Sequence, residues 1–388
     1  MNMIDRWLLP DGIDEVLPPQ AHNLERIRRQ LLDIFASWGY DYVIPPMVEF
    51  LESLLTGTGR DLDLKTFKLT DQVSGRMMGI RADITPQVAR IDAHSHQQSG
   101  LARMCYAGTV LHAKADNMLA SRAPIQAGAE LFGDTGTQGD IEIVSLMLQS
   151  LCSVGLDDVM VELGDVGIYR SLMSSAGLAR EQEEQLFELI QKKAPGDLEA
   201  LLQTLPLDDQ TCRMISALPG LCGTEDVISR AQVLLAGQPD VEARLNSLSE
   251  VAARIGQRFP SASIYYDLSE LRGYHYHTGL VFAAYHRPDH QQIAKGGRYD
   301  SVGAVFGRAR GATGFTVDLK RLSVMLASSH ERQTVAVASE LSAGPALWEK
   351  LQALRSDGYV VLETSSAAAE ADFVLIQSGD GFELAPSN

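Results

Sequence analysis

Several things are scarce in this 388-residue sequence. Its four cysteines, Cys105, Cys152, Cys212 and Cys222, are scattered and show no CxxC spacing. That excludes a disulfide scaffold and a cysteine-based zinc site, and reads as reduced intracellular thiols. No apolar run approaches the ~18 residues of a membrane span. The opening MNMIDRWLLPDG offers only the patch Trp7 to Leu9 where a secretory signal needs a longer apolar stretch. The expectation is a cytoplasmic protein with no membrane partner. Positive charge is scarce too: 33 Lys and Arg against 50 Asp and Glu leave a formal charge of -17. Broad binding to a phosphate backbone is therefore disfavoured, because such affinity comes largely from Lys and Arg displacing counterions. The densest basic group, Arg26, Arg28 and Arg29, falls on a helix surface and reads most simply as a solvated face, although net charge does not exclude a local RNA site.

What is present is an ordinary globular composition, 45% hydrophobic, in a chain longer than one core of about 250 to 300 residues usually organises. Two or three domains are expected. Leu24, Ile27, Leu31, Ile34, Phe35 and Trp38 recur at helical spacing, Gly39 stops them, and YDYVIPP after it reads as a strand ended by Pro45 and Pro46. Residues 66 to 91 read as a hairpin running into a helix with Thr85 as its cap and Pro86 in its first turn. Residues 103 to 112, 124 to 132 and 159 to 163 are strand-like. From about 168 to 255 the text turns helical and acidic, a candidate insertion. Strand-like text returns at SIYYDLSELRGYHYHTGLVFAAY, and a glycine-rich stretch follows from Gly296 to Gly314. The fold class expected is α+β: a domain over 1–325, interrupted by that insertion, then a small αβ domain over 331–388.

Three polar strings at strand ends or turns could line one pocket. They are Arg81-Ala-Asp83-Ile-Thr85-Pro86, Gln126-Ala-Gly128-Ala-Glu130, and Arg272-Gly-Tyr-His-Tyr276-His277-Thr-Gly279. Any one of them alone is more simply a hydrogen-bonded polar residue. His275 and His277 could in principle ligate a metal, but on a strand they would share a face with no third ligand in sight, so no metal and no other cofactor is expected.

The order of these strings resembles the catalytic domain of class II aminoacyl-tRNA synthetases, specifically histidyl-tRNA synthetase, over about residues 10–325. The family's LRPEGT matches IRADIT with Asp83 at the carboxylate, its HQxGxE matches residues 125 to 130, its RGLDYYTG matches RGYHYHTG, and its GGRYD is intact at 296 to 300. The resemblance implies an antiparallel sheet flanked by helices, and a homodimer interface built from the helix of residues 24 to 35 and the segment 40 to 46. It also implies an amino-acid pocket of Asp83, Thr85, Gln126, Glu130, Arg272, Tyr276 and His277. There Asp83 would hold the ammonium, Gln126 and Tyr276 would support the ligand, and Arg272 would stand near its carboxylate.

The adenylation end departs from the family. FRxE of motif 2 becomes Leu111-His112-Ala113-Lys114, exchanging a permanently charged, two-pronged phosphate donor for an imidazole that is mostly neutral at pH 7. In motif 3 a glycine becomes Asp318, read as charge and bulk against ATP, while Arg321 is kept. His112, Lys114, Asp318 and Arg321 thus mark a degenerate ATP site. The short C-terminal tail further implies no tRNA partner. A synthetase fold of this kind resembles the regulatory-subunit paralogues of ATP phosphoribosyltransferase. They are non-catalytic chains that activate a short-form catalytic subunit in the first step of L-histidine biosynthesis and mediate feedback inhibition with L-histidine as allosteric ligand, a homodimer core sitting within a hetero-oligomer. An active histidyl-tRNA synthetase, or a paralogue ligating an amino acid to another acceptor, are the alternatives.

Overall fold

The computed structural model describes residues 7–57, 60–115, 120–274, 276–288, 290–326, 333–338, 341, 344–363, 371–379 and 381–387. The chain forms two compact units, Met1–Leu326 and Ala327–Asn388.

The first unit is built on a sheet of nine strands. Its order is Asp41–Tyr42, Ala102–Thr109, Ile125–Phe132, Ala312–Asp318, Gln291–Arg298, Leu280–His286, Val159–Asp165, Ser263–Asp267 and Cys222–Gly223. From Ala102–Thr109 through Val159–Asp165 every pairing is antiparallel. Parallel pairing occurs where Asp41–Tyr42 and Ser263–Asp267 join the two ends. The helical spacing read at the N-terminus yields Gln20–Ser37, which buries Leu24, Ile27, Leu31 and Phe35 against one face of the sheet. Phe35 meets Phe315 edge-on at 5.8 Å, a pair worth about 0.5–1.5 kcal/mol beyond its area. The strand expected at 40 to 46 pairs only through Asp41 and Tyr42. Alternation does the rest of the sorting. In Ile125–Phe132 the residues Ala127, Ala129 and Leu131 enter the main core beside helix Thr137–Ser153, leaving Gln126, Gly128 and Glu130 on the opposite face.

The hairpin Phe67–Thr70 and Met77–Ile80 is present and is extended by Val48–Phe50 into a separate three-stranded sheet. The helical stretch comprises Val166–Ala176, Arg180–Gln191, Pro195–Leu202, Asp209–Ala217, Asp226–Leu234 and Pro239–Arg258. Asp165 starts it by accepting from the Gly167 N–H at 2.7 Å, and Arg244 pairs with the same carboxylate. Leu186, Ile190, Leu198, Ile215, Val241 and Leu248 from these helices lie in the same continuous core as the sheet. Cys222–Gly223 also pairs with Ser263–Asp267 as the last strand, so the insertion shares the sheet and its core.

In the second unit Thr334–Val337 lies between Val360–Leu362 and Phe373–Ser378, parallel to both, and Gly381–Pro386 folds back on the outer edge. Helix Pro345–Ser356 supplies Leu351 and Leu354 to a small core with Val335, Val361 and Leu375.

Candidate functional site

A cleft of about 620 Å³ opens over the face of the sheet that carries Gln126 and Glu130. Its floor follows from strand register. Glu130 pairs with Gly314 and Gly314 with Gly297, so two positions of one cross-strand row carry no side chain. A Cβ on Gly314 would lie 1.6 Å from Glu130 Oε2, and one on Gly297 would lie 2.8 Å from His277 Nδ1. The carboxylate and the imidazole therefore rest on backbone, and only glycine allows it.

Glu130 is completely buried. Thr85 Oγ1 donates to its Oε1 at 2.8 Å, Tyr106 OH to the same oxygen at 3.2 Å, and Tyr299 OH to Oε2 at 2.5 Å. Burial nevertheless pushes its pKa up to about 8, against the lowering effect of these hydroxyls. Among the described residues neither Glu130 nor Asp83 has a cation within ion-pair distance. Asp83 sits in the turn before helix Thr85–Arg90, where its Oδ1 and Gln126 Oε1 both accept from the Ile84 N–H, at 2.7 and 3.3 Å. Thr85 is not the cap the sequence suggests. The helix begins at Thr85 with Ile84 as N-cap, and the Thr85 hydroxyl is spent on Glu130 and Tyr106 instead. Arg81 of the same string lies beneath the cleft, donating to Thr109 and Pro45 carbonyls.

The third string is not a strand. Residues 271–274 and 276–279 lie in turns and loop, where Gly273, at φ +68, accepts from the Tyr276 and His277 N–H groups, both at 2.7 Å. The strand face suggested for His275 and His277 rests on His275, which lies outside the described residues. No cluster of three potential metal-ligating groups occurs among the described residues. Tyr276 stacks on Tyr299 at 5.0 Å and meets the His277 ring edge-on at 5.3 Å. The Tyr276 hydroxyl and His277 Nδ1 are buried and unpartnered among the described residues. Burial lowers the His277 pKa to about 4, so its ring is neutral at physiological pH. The inserted helices hold this turn. Arg170 donates to the Tyr274 and His277 carbonyls and lies 4.4 Å over the Tyr274 ring, and Phe187 packs against Tyr274 at 5.2 Å. Phe187 and Gln191 are themselves part of the cleft wall.

All seven residues expected for the amino-acid pocket line the cleft, and of the four expected for the degenerate nucleotide end only His112 does. His112 Nε2 lies 2.9 Å from the Ala82 carbonyl. Lys114 is exposed. Asp318 caps helix Leu319–Met325, accepting from the Lys320 and Arg321 N–H groups, because a strand running straight into a helix leaves those donors unsatisfied. Arg321 donates to the Gln292 carbonyl at 2.5 Å. Arg272 is also engaged. Its Nη2 lies 2.5 Å from Glu162 Oε1, 2.8 Å from Glu270 Oε2 and 2.8 Å from Tyr285 OH. Tyr106, Tyr299, Glu162 and Lys295 were not singled out from sequence, although GGRYD contains Tyr299 and follows directly on Lys295.

The histidyl-tRNA synthetase family model matches residues 12–322. An ATP phosphoribosyltransferase regulatory subunit from Pseudomonas paraeruginosa is 50% identical over 394 residues, covering 100% of this chain and 99% of that one. Among solved structures, an ATP phosphoribosyltransferase regulatory subunit/histidyl-tRNA synthetase from Bacillus halodurans aligns with TM-score 0.80 and 25% identity over 93% of each chain. A chain of the ATP phosphoribosyltransferase complex from Thermotoga maritima shares the fold, with TM-score 0.60 and 17% identity over 79% of this chain and 98% of that one.

Proposed function

Because the chain belongs to the family of ATP phosphoribosyltransferase regulatory subunits, built on the histidyl-tRNA synthetase fold, we propose that its cleft is a receptor for L-histidine whose occupancy is conveyed to the catalytic subunit. The protein is a regulatory subunit of histidine biosynthesis and leaves the phosphoribosyl transfer to its partner, which we take to be a short-form catalytic chain. In this reading the chain activates that partner when the cleft is empty, and histidine reverses the activation by binding two states of the complex with different affinity, a coupling typically of ~1–3 kcal/mol. A homodimer core, formed through the segment that exposes Tyr42, Ile44 and Met47, completes the proposed assembly. A cytoplasmic location accords with the four free thiols.

One observation carries the ligand assignment: half-buried Asp83 and buried Glu130 both face the cleft with no protein cation against either among the described residues, and a bound positive group is what would offset the burial that drives Glu130 toward its neutral form. The α-ammonium suits Asp83 and Gln126, and the imidazole suits the hydroxyl-lined Glu130 end. Isothermal titration should show saturable heat with L-histidine, and no heat at millimolar ligand would remove the assignment. In a coupled assay the chain without histidine should raise the catalytic subunit's rate, and added histidine should lower it. Histidine-dependent exchange of pyrophosphate into ATP would instead mark an active synthetase.

A further inference from the structure

The proposed ligand is a zwitterion, and Asp83 and Glu130 answer only its positive groups. Its carboxylate needs a cation, and the resemblance to synthetases assigned that part to Arg272. The Arg272 guanidinium already faces Glu162 at 2.5 Å and Glu270 at 2.8 Å, and its backbone N–H donates to Glu270 Oε1 at 2.6 Å. A ligand carboxylate added there would be a third anion on one cation, repelled by the two already present.

Lys295 is differently placed. It lies on Gln291–Arg298 between Ala283 and Thr316, two residues from Gly297 and hence on the same face of the sheet. Two residues of strand advance about 6.6–6.8 Å; the ring and carboxylate of an α-amino acid such as histidine, joined through three bonds, lie closer than that, and the flexible four-carbon stem of a lysine spans the difference. A ligand whose ring sits at the Glu130 and Gly297 row and whose α-carbon lies toward Gln126 thus brings its carboxylate alongside the Lys295 row. Neighbouring Ala283 is too small to cover that row. Lys295 lines the cleft, is exposed, and has no ion-pair partner among the described residues. The other cleft lysine, Lys65, stands beside His112 and Ala113, where its carbonyl accepts from the Ala113 N–H.

Resting on the reading of the ligand as a free α-amino acid, we infer that Lys295, not Arg272, receives the ligand carboxylate and so makes this cleft selective for molecules that carry one. The same lysine faces Glu162 along its own cross-strand row, two strands away.

The test compares L-histidine with L-histidinol, which keeps the amine and the ring but has an alcohol in place of the carboxylate, by titration against the full chain. Wild type should bind histidine roughly tenfold or more tighter than histidinol, the scale of one charge-assisted contact. Lys295→Gln and Lys295→Met should lose that preference by weakening histidine alone, with histidinol affinity within about twofold of wild type, and Lys295→Arg should restore most of it. Unchanged thermal unfolding without ligand would show that both variants fold. A preference retained in Lys295→Gln, or lost in Lys65→Gln or Arg272→Gln with histidinol binding intact, would overturn the inference. A wild type that binds both ligands equally would overturn it too, while one that binds neither would overturn the underlying histidine assignment.

Discussion

The two ends of the cleft handle their polar groups in opposite ways. At the Glu130 end a carboxylate, a tyrosine hydroxyl and an imidazole nitrogen are buried with needs the protein leaves unmet: Glu130 lacks a cation, and Tyr276 and His277 lack partners among the described residues. At the end that corresponds to nucleotide binding in synthetases, three of the four matching groups are satisfied internally, while Lys114 is exposed. His112 is bound to Ala82, Asp318 caps a helix, and Arg321 holds the Gln292 carbonyl. An orphaned buried polar group costs about 1–3 kcal/mol, which the proposed ligand would relieve. A site whose groups have found partners at home no longer offers them to a phosphate.

The sharpest way to break this contrast is Gly314→Ala. Its Cβ would strike Glu130 Oε2 and press on the Ala129 carbonyl at 2.8 Å, so urea unfolding should show a loss of about 3 kcal/mol, the upper range for overpacking, and histidine heat should vanish. Glu130→Gln tests the unmet charge. In the folded chain the carboxyl is raised to about 8, so the unfolded state sheds its proton first. Below the unfolded value near ~4.3 the buried acid costs nothing in charge, and the cost grows as pH rises toward 8. The variant should gain stability over wild type progressively across that window, by roughly 4 to 5 kcal/mol at pH 8. It should bind histidine at least tenfold more weakly, an order of magnitude set by removal of one charged hydrogen-bond partner. A pH-independent difference in unfolding free energy would show that Glu130 is ionised in the empty protein throughout.

The other end should respond mildly. Asp318→Ala should cost about 1 kcal/mol, the usual value of a lost N-cap, and leave the histidine dissociation constant unchanged. A large drop in histidine affinity would mean that Asp318 reaches the ligand after all. His112→Arg should have the smallest effect, up to about 1 kcal/mol from the lost bond to Ala82. It should restore no pyrophosphate exchange, since Arg321 and Asp318 stay committed elsewhere.

Much of this arrangement was legible from residue order, and the parts that were not share a cause. Gln126 and Glu130 could be placed together because a strand puts residues four apart on one face. The polar string at Arg272 to Gly279 was legible as lying at strand ends or in turns, but the text around it looks strand-like because YHYHTG is aromatic and β-branched, whereas Gly273 in a left-handed conformation turns the chain there. Thr85 was misassigned by one position, since whether a threonine caps or reaches across the cleft is decided by Glu130, forty-five residues away. Glu162 and Lys295 enter the cleft, and Tyr106 reaches Glu130 beneath it, through cross-strand register, and Phe187 enters through packing of the inserted helices; local pattern carries neither kind of information.

The grip of Arg170 on the carbonyls of Tyr274 and His277 has a consequence for anyone trimming this molecule. The turn bearing Tyr276 and His277 has no ladder or helix of its own; its shape is lent by a neighbour more than a hundred positions earlier in the chain. Splicing out residues 168 to 255 would look, on a domain diagram, like removing an ornament, yet it would take away the scaffolding on which the cleft's innermost wall is hung.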